Sequence, residues 1–155
     1  MKQLVFVLLF LMFNNIAFAQ TFFDKTYTGE YTEQFASGKQ KYAVNVKQGK
    51  KNGYETFWFE SGHKMYQTHF IDDLEDGVWQ QWYESGQLKL EANYKAGREH
   101  GSFKQWFDNG QPRAESTFVH GKKQGLERNW NKDGSLKSEV TYLNGDVIKN
   151  SDIVQ

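Results

Sequence analysis

Glycine recurs on a lattice of 24 residues in this chain, and no glycine lies off the lattice. The 14 glycines occupy three positions of the repeat. The first position holds Gly29, Gly53, Gly77, Gly101 and Gly125. The second holds Gly38, Gly62, Gly86, Gly110 and Gly134, and the third holds Gly49, Gly97, Gly121 and Gly145. Such a period is typical of proteins whose units stack on one another, so the sequence predicts five copies of one small unit over residues 29–148.

Each copy contains two strand-like segments separated by turns. In the copy that begins at Gly77, residues 78–84 and 88–95 are predicted strands, and residues 85–87 and 96–101 are predicted turns. Glycine supplies the positive φ that tight reversals require. At the one third position without glycine, the turn pair is Asp72–Asp73, and Asp tolerates this conformation. With one proline and no helical period, the chain is predicted to be all-β. The fold is an elongated single-layer antiparallel meander of five 24-residue β-hairpin repeats, in an open sheet that can curl.

The first 19 residues have the pattern of a secretory signal peptide. Lys2 precedes an apolar run over residues 4–13 that is too short for an ordinary membrane span, and Ala17–Phe18–Ala19 fits a cleavage site before Gln20. We therefore expect residues 1–19 to be removed and the protein to be exported, to the periplasm, the outer membrane or the medium. Residues 20–28 are predicted to be an N-terminal cap or linker, and residues 149–155 a C-terminal cap or tail.

Charge and cysteine content exclude several classes of function. Without the leader, 18 Lys and Arg stand against 19 Asp and Glu. This balance argues against nucleic acid as a partner and against anionic lipid as the main ligand. The chain has no cysteine, so it has no disulfides, and its stability must come from the stacking of repeats.

In the three middle copies, aromatic residues occupy both sides of the first strand; Gln34 replaces the tryptophan in the first copy, and Asn131 replaces the second ring in the last. One column is interpreted as structural, because large rings stacked along the array can bury a thin sheet: it consists of Trp58, Trp82, Trp106 and Trp130. The next column faces the other way and, with two rings of the same alternation, forms a predicted partner-binding stripe: Phe35, Phe59, Trp79, Tyr83, Phe103 and Phe107. An exposed apolar stripe usually marks a partner surface, although a curled sheet that covers the stripe is an open alternative.

The second strand has a simple alternation. Leu88, Leu90, Ala92 and Tyr94 share one side, and Lys89, Glu91, Asn93 and Lys95 share the other. This pattern predicts one buried and one wet face.

The copy from Gly77 to Gly97 reads G-x-W-x-x-W-Y-x-x-G-x-L-K-x-E-x-x-Y-x-x-G, and the copies from Gly101 and Gly125 follow it closely. This motif resembles the bacterial variant of the MORN repeat. The resemblance implies an elongated sheet of hairpins that acts as a protein-binding or scaffolding module. Because many bacterial members are assigned as antitoxins, it also implies an antitoxin- or immunity-like role with a protein partner.

No pattern of a catalytic or metal site is found in the sequence. Four histidines occupy four different repeat positions and form no ligand column: His63, His69, His100 and His120. The acidic cluster of Asp72, Asp73, Glu75 and Asp76 is interpreted as a solvated turn rather than a calcium site. We predict a protein that is not an enzyme, with no catalytic residue, no cofactor and no metal; an uncharacterised hydrolase is the least favoured alternative.

Two further interpretations remain open. The repeats could bind a cell-envelope component (wall, glycan or lipid) in aromatic pockets, where rings attract cationic groups. The open edge strands could also support end-to-end self-association.

Overall fold

The computed structural model describes residues 6–9 and 19–148, with side chains from Phe23 onward. Most of the predicted leader and all of the predicted tail at residues 149–155 lie outside the described residues. In the described ranges every regular element is a β-strand, and no helix is long and apolar enough to span a membrane. The strands are β1 (Phe6–Leu9), β2 (Ala19–Phe22), β3 (Gly29–Gln34), β4 (Gln40–Lys47), β5 (Lys50–Trp58), β6 (Lys64–Ile71), β7 (Leu74–Glu75), β8 (Gly77–Trp82), β9 (Leu88–Lys95), β10 (Arg98–Trp106), β11 (Pro112–Val119), β12 (Lys122–Lys123), β13 (Gly125–Trp130), β14 (Leu136–Leu143) and β15 (Asp146–Ile148).

One antiparallel sheet of 13 strands contains all the repeats. Its strands lie side by side in the order β3-β4-β5-β6-β8-β9-β10-β11-β13-β14-β15, and the short β7 and β12 pair with β6 and β11. The sheet is open, with β3 and β15 at its edges, while β1 and β2 pair separately. The predicted all-β meander of hairpin repeats is therefore confirmed.

The second-position glycines close one end of each hairpin. In the second copy, the Phe59 amide donates to the His63 carbonyl and the Gly62 amide donates to the Phe59 carbonyl, both at 2.9 Å. The other four copies repeat both bonds. A three-residue loop of this kind ends with a residue in the left-handed region, and Gly62 has φ of 99°.

The third-position pairs form two-residue turns at the other end of the sheet. Both central residues have positive φ, as a type I′ turn requires: Ala96 and Gly97 have φ of 49° and 75°, and Asp72 and Asp73 have 49° and 69°. The Gly97 amide donates to the carbonyl of Glu75, so that one repeat is tied to the preceding one by a backbone hydrogen bond of 2.8 Å.

The prediction of a single turn over residues 96–101 is wrong. The turn comprises only Ala96 and Gly97, and β10 runs on through Gly101, with irregular register between Glu99 and Phe103. Gly101 nevertheless has φ of 105°, because the strand bends there. Four of the five first-position glycines lie in register with an aromatic residue of the neighbouring strand: Gly53 with Phe70, Gly77 with Tyr94, Gly101 with Phe118 and Gly125 with Tyr142.

Cross-strand register defines the two faces of the sheet. Residues opposite each other in register share a face, and one face carries Tyr42, Phe57, Tyr66, Trp79, Ala92 and Phe103. We call it the ring face. The opposite face, which we call the polar face, carries Thr56, Gln67, Gln80, Glu91, Lys104, Glu115 and Arg128. On the polar face Arg128 forms ion pairs with Glu115 and Glu139 at 3.0 and 2.8 Å, so these three charges are paired.

The ring face is driest at its N-terminal end. Tyr42, Val44 and Val46 are at most 4% exposed, and Phe23 and Tyr27 pack against them. The segment before the first repeat therefore packs against this end of the array.

Candidate functional site

Aromatic contacts run along the ring face from one repeat to the next. Tyr31, Tyr42, Phe57, Tyr66 and Trp79 lie in successive strands of the sheet, and their neighbouring ring centroids are 6.1, 4.6, 5.7 and 5.2 Å apart. Tilted and edge contacts of this kind contribute about 0.5–1.5 kcal/mol each beyond the area they bury. The rings therefore bind the first three repeats into one body.

The ring contacts change direction around Ala92 in β9. Trp79 and Phe103 both lie directly opposite Ala92, one in each neighbouring strand. The Trp79 ring contacts Tyr66 at 5.2 Å, whereas the Phe103 ring contacts Phe118 at 5.8 Å, on the far side. Ala92 is 2% exposed, so its neighbours cover its methyl group. The half-buried rings themselves face solvent at this point.

In the second repeat, the residues beside the rings form a buried charge network. Glu55 is 5% exposed and accepts hydrogen bonds from the Tyr42 hydroxyl at 2.7 Å and from the Lys51 ammonium at 2.5 Å. The same ammonium lies 4.8 Å from the centre of the Phe70 ring. Burial and the Glu55 charge raise the pKa of the Tyr42 hydroxyl, which stays protonated and donates. The Tyr42 hydroxyl and the Lys51 ammonium therefore stabilise the buried Glu55 carboxylate.

The fifth repeat has the same arrangement in a more exposed setting. Lys123 forms an ion pair with Glu127, and its ammonium lies 5.0 Å from the centre of the Tyr142 ring. Lys51 and Lys123 occupy one repeat position, and Glu55 and Glu127 occupy another, four residues later. The lysine and the glutamate at these two positions therefore neutralise each other in both places.

The two inner repeats lack this neutralisation. The lysine position holds Glu75 and Glu99, while the glutamate position holds Trp79 and Phe103. Register places both carboxylates on the ring face, opposite Phe70 and Tyr94 respectively. Neither has an ion pair among the described residues.

Burial makes ionisation of both carboxylates unfavourable. Burial raises the pKa of Glu75, and the Glu55 charge raises it further while Lys51 opposes the shift. Burial likewise raises the pKa of Glu99, against the effect of Lys123. Between them, Tyr94 has its pKa raised to about 12 by burial and by the charges of Glu99 and Glu75. At both carboxylates, burial therefore outweighs the attraction of the nearby lysine.

These four inner residues form the strongest candidate site, which we call the central patch: Glu75, Trp79, Glu99 and Phe103. Each is half-buried. The patch combines two ring surfaces with two carboxylates that form no ion pair, and it surrounds the buried Ala92. Chemically, this arrangement can bind an apolar group that carries, or lies next to, a positive charge.

The structure brings together two members of the predicted partner-binding stripe, Trp79 and Phe103. The other four begin the hairpin turns, and all of them are half-buried: Phe35, Phe59, Tyr83 and Phe107. At that end the Tyr83 hydroxyl donates to the Trp106 carbonyl at 2.8 Å and so links two neighbouring repeats. These four rings therefore stand apart from the central patch.

The predicted structural tryptophans each end a strand, and all four are half-buried: Trp58, Trp82, Trp106 and Trp130. The register of β8 is irregular at Trp82, and the Lys64 ammonium lies 5.6 Å from the centre of the Trp82 ring. The ring contacts between neighbouring strands are made instead by ring-face residues such as Tyr42 and Phe103.

The acidic cluster at residues 72–76 divides between two roles. Asp73 accepts a hydrogen bond from the Lys51 amide at 2.7 Å, and Asp76 accepts one from the Ala96 amide at 3.2 Å. Asp72 accepts one from the Asn52 side chain, so these three support turns, while Glu75 joins the central patch. Across the described ranges, no three His, Asp or Glu side chains are placed to hold a metal ion.

Sequence reasoning missed the charged half of the central patch. The signal was available in one repeat position, which reads Lys51, Glu75, Glu99 and Lys123. The glycine and aromatic positions of the repeat do not include this charged position. Tyr42 and Tyr66, which carry the ring contacts in the first repeats, were also missed, because they lie in second strands of atypical composition.

Comparison with known families supports the repeat assignment. Residues 75–96, 99–120 and 123–144 match the model described as the MORN repeat variant. MORN repeats of this kind are repeat modules that often serve in binding and are generally non-catalytic. No curated protein matches the chain.

Proposed function

This chain contains MORN repeats of the variant type, and we propose that it is an exported, non-catalytic module that docks a protein partner on its ring face. The supporting observation is the central patch, where Trp79 and Phe103 present half-buried rings beside two carboxylates without ion pairs. Rings with partial exposure and desolvated surroundings are typical of the residues that dominate protein interfaces.

The repeat architecture supports a binding role more than a catalytic one. Catalysis needs acid, base or nucleophilic groups that converge around a reacting atom. The central patch instead has its charges and rings in rows along an extended surface. An extended surface of this type fits a segment of polypeptide, and the partner can be a toxin-like protein that the module neutralises or a component it scaffolds.

Site-specific photo-cross-linking tests this function. A photoreactive phenylalanine analogue replaces Phe103 in one protein and Tyr54 in a matched control. Tyr54 is an aromatic residue of the polar face that is 55% exposed. After irradiation in cells, we expect a single protein species linked through position 103 and not through position 54. Linkage to lipid or wall material, or equal linkage from both positions, would contradict protein docking on the ring face.

A further inference from the structure

Four charged positions follow one another along the ring face. Lys51, Glu75, Glu99 and Lys123 share one repeat position and lie on the same face, opposite Val46, Phe70, Tyr94 and Phe118. Successive members are two strands apart, because one second strand of a repeat lies between them. Strands are spaced by about 4.8 Å, so the charges recur about every 9.6 Å across the sheet. The order of their signs is positive, negative, negative, positive.

We propose that the central patch binds a polyproline II segment of a protein partner, in which Lys or Arg recurs at every third residue. The proposal rests on the proposed docking function and specifies the chemistry of the occupant. The segment crosses the strands, two successive cationic side chains pair with Glu75 and Glu99, and the residues between them lie on Trp79 and Phe103.

The spacing favours polyproline II over a β-strand. A polyproline II helix has three residues per turn and a rise of about 3.1 Å, so side chains on one side recur every 9.3 Å or so. This matches the distance of about 9.6 Å between alternate strands. Side chains on one side of a β-strand recur at about 6.8 Å, which matches the spacing of the two carboxylates less well.

The rings have the same spacing as the carboxylates. Trp79 and Phe103 flank Ala92 and are therefore also two strands apart. Rows of aromatic rings are the surfaces on which proline-rich segments dock, because the preformed helix loses little conformational entropy on binding. One turn of the segment thus matches one ring and one carboxylate.

Charge complementarity selects a basic segment and limits its length. Glu75 and Glu99 form no ion pair, because the nearest cations, Lys51 and Lys123, already pair with Glu55 and Glu127. Two bound cations satisfy the inner carboxylates, and a third would approach Lys51 or Lys123 and be repelled. We therefore expect two basic residues three apart, flanked by neutral or acidic residues.

Peptide titration by calorimetry tests the proposal on the full chain. The probe peptide carries two lysines separated by two prolines and flanked by prolines. One comparison peptide replaces the lysines with glutamates, and another replaces the prolines with glycine and serine. We expect the probe to bind, and both comparison peptides to bind at least about tenfold more weakly. Equal binding of the glutamate peptide or of the glycine–serine peptide would overturn the proposal.

Protein variants locate the site. Glu75→Gln with Glu99→Gln is expected to weaken the probe about tenfold or more. Glu84→Gln, at an exposed turn glutamate, is expected to leave the affinity unchanged. An unchanged affinity in the Glu75 and Glu99 variant would overturn the proposal. If Phe103 still cross-links one protein in that case, the docking function stands and only the basic polyproline II occupant fails.

Discussion

The ammonium group of Lys51 lies 4.8 Å from the centre of the Phe70 ring. Lys123 and Tyr142 repeat this relationship at 5.0 Å. The position of the two lysines holds Glu75 and Glu99 in the repeats between them, so the outer two charges of this row form ion pairs and the inner two do not.

Glu75→Gln should stabilise the protein at neutral pH. The folded pKa of Glu75 is raised, so the folded state binds the proton more tightly than the unfolded state does. Its contribution to stability is therefore fully present below the ordinary value of 4.5 and is lost as pH rises through the folded pKa. The variant should match the wild-type protein in unfolding free energy below pH 4.5 and exceed it at pH 7. Urea titrations across this range measure the difference, and a gap that grows toward acid pH would contradict the account.

Lys51→Met should destabilise the protein strongly. Glu55 is 5% exposed, and removal of its cationic partner leaves a buried charge, at a cost of about 3–5 kcal/mol. Lys41→Met is the matched control, because its pair with Glu33 is exposed and should contribute less than about 1 kcal/mol. Adding Glu55→Gln to Lys51→Met should restore part of the loss. Similar effects of the two lysine variants in denaturant titrations would refute this role of Lys51.

Ala96→Gly should stabilise the turn between the third and fourth repeats. Ala96 has φ of 49°, a conformation that costs an ordinary residue about 1–2 kcal/mol. Glycine removes this strain and adds about 0.5–1 kcal/mol of unfolded-state entropy, so a gain of up to about 1 kcal/mol is expected. Ala36→Gly is the control: Ala36 does not have positive φ, and the change should cost about 0.5–1 kcal/mol. Chemical denaturation that shows losses for both variants would count against the strained turn.

The protein purified from its native envelope should begin at Gln20. The leader pattern over residues 1–19 predicts removal of that segment on export. Intact-mass analysis measures the N-terminus directly. A mass that includes Met1 or Lys2 would refute the predicted processing.

The sequence was sufficient for the architecture, because glycine, turn chemistry and strand alternation repeat every 24 residues. All 14 glycines have positive φ in the structure, as tight turns and bends require. The extent of one turn was mispredicted, because Gly101 has the same composition signal as a turn glycine but bends a continuous strand. Only the cross-strand register distinguishes the two cases.

The site was predictable only in part. The alternation of β8 and β10 put Trp79 and Phe103 in the predicted stripe, but their positions on either side of Ala92 depend on the pairing of both strands with β9. The carboxylates of Glu75 and Glu99 were hidden, because their shifted pKa values come from burial in the folded sheet. The charges that successive copies place at one repeat position indicate a site only when the face of the sheet that carries this position is also known.

The most direct test of the central claim is the affinity of the protein that cross-links through position 103. Calorimetry would compare its dissociation constant for wild-type protein, for Trp79→Leu with Phe103→Leu, and for Tyr54→Leu, with circular dichroism to verify folding. Docking on the central patch predicts a loss of about 100-fold for the double variant and no change for Tyr54→Leu. An unchanged dissociation constant for the folded double variant would contradict the account.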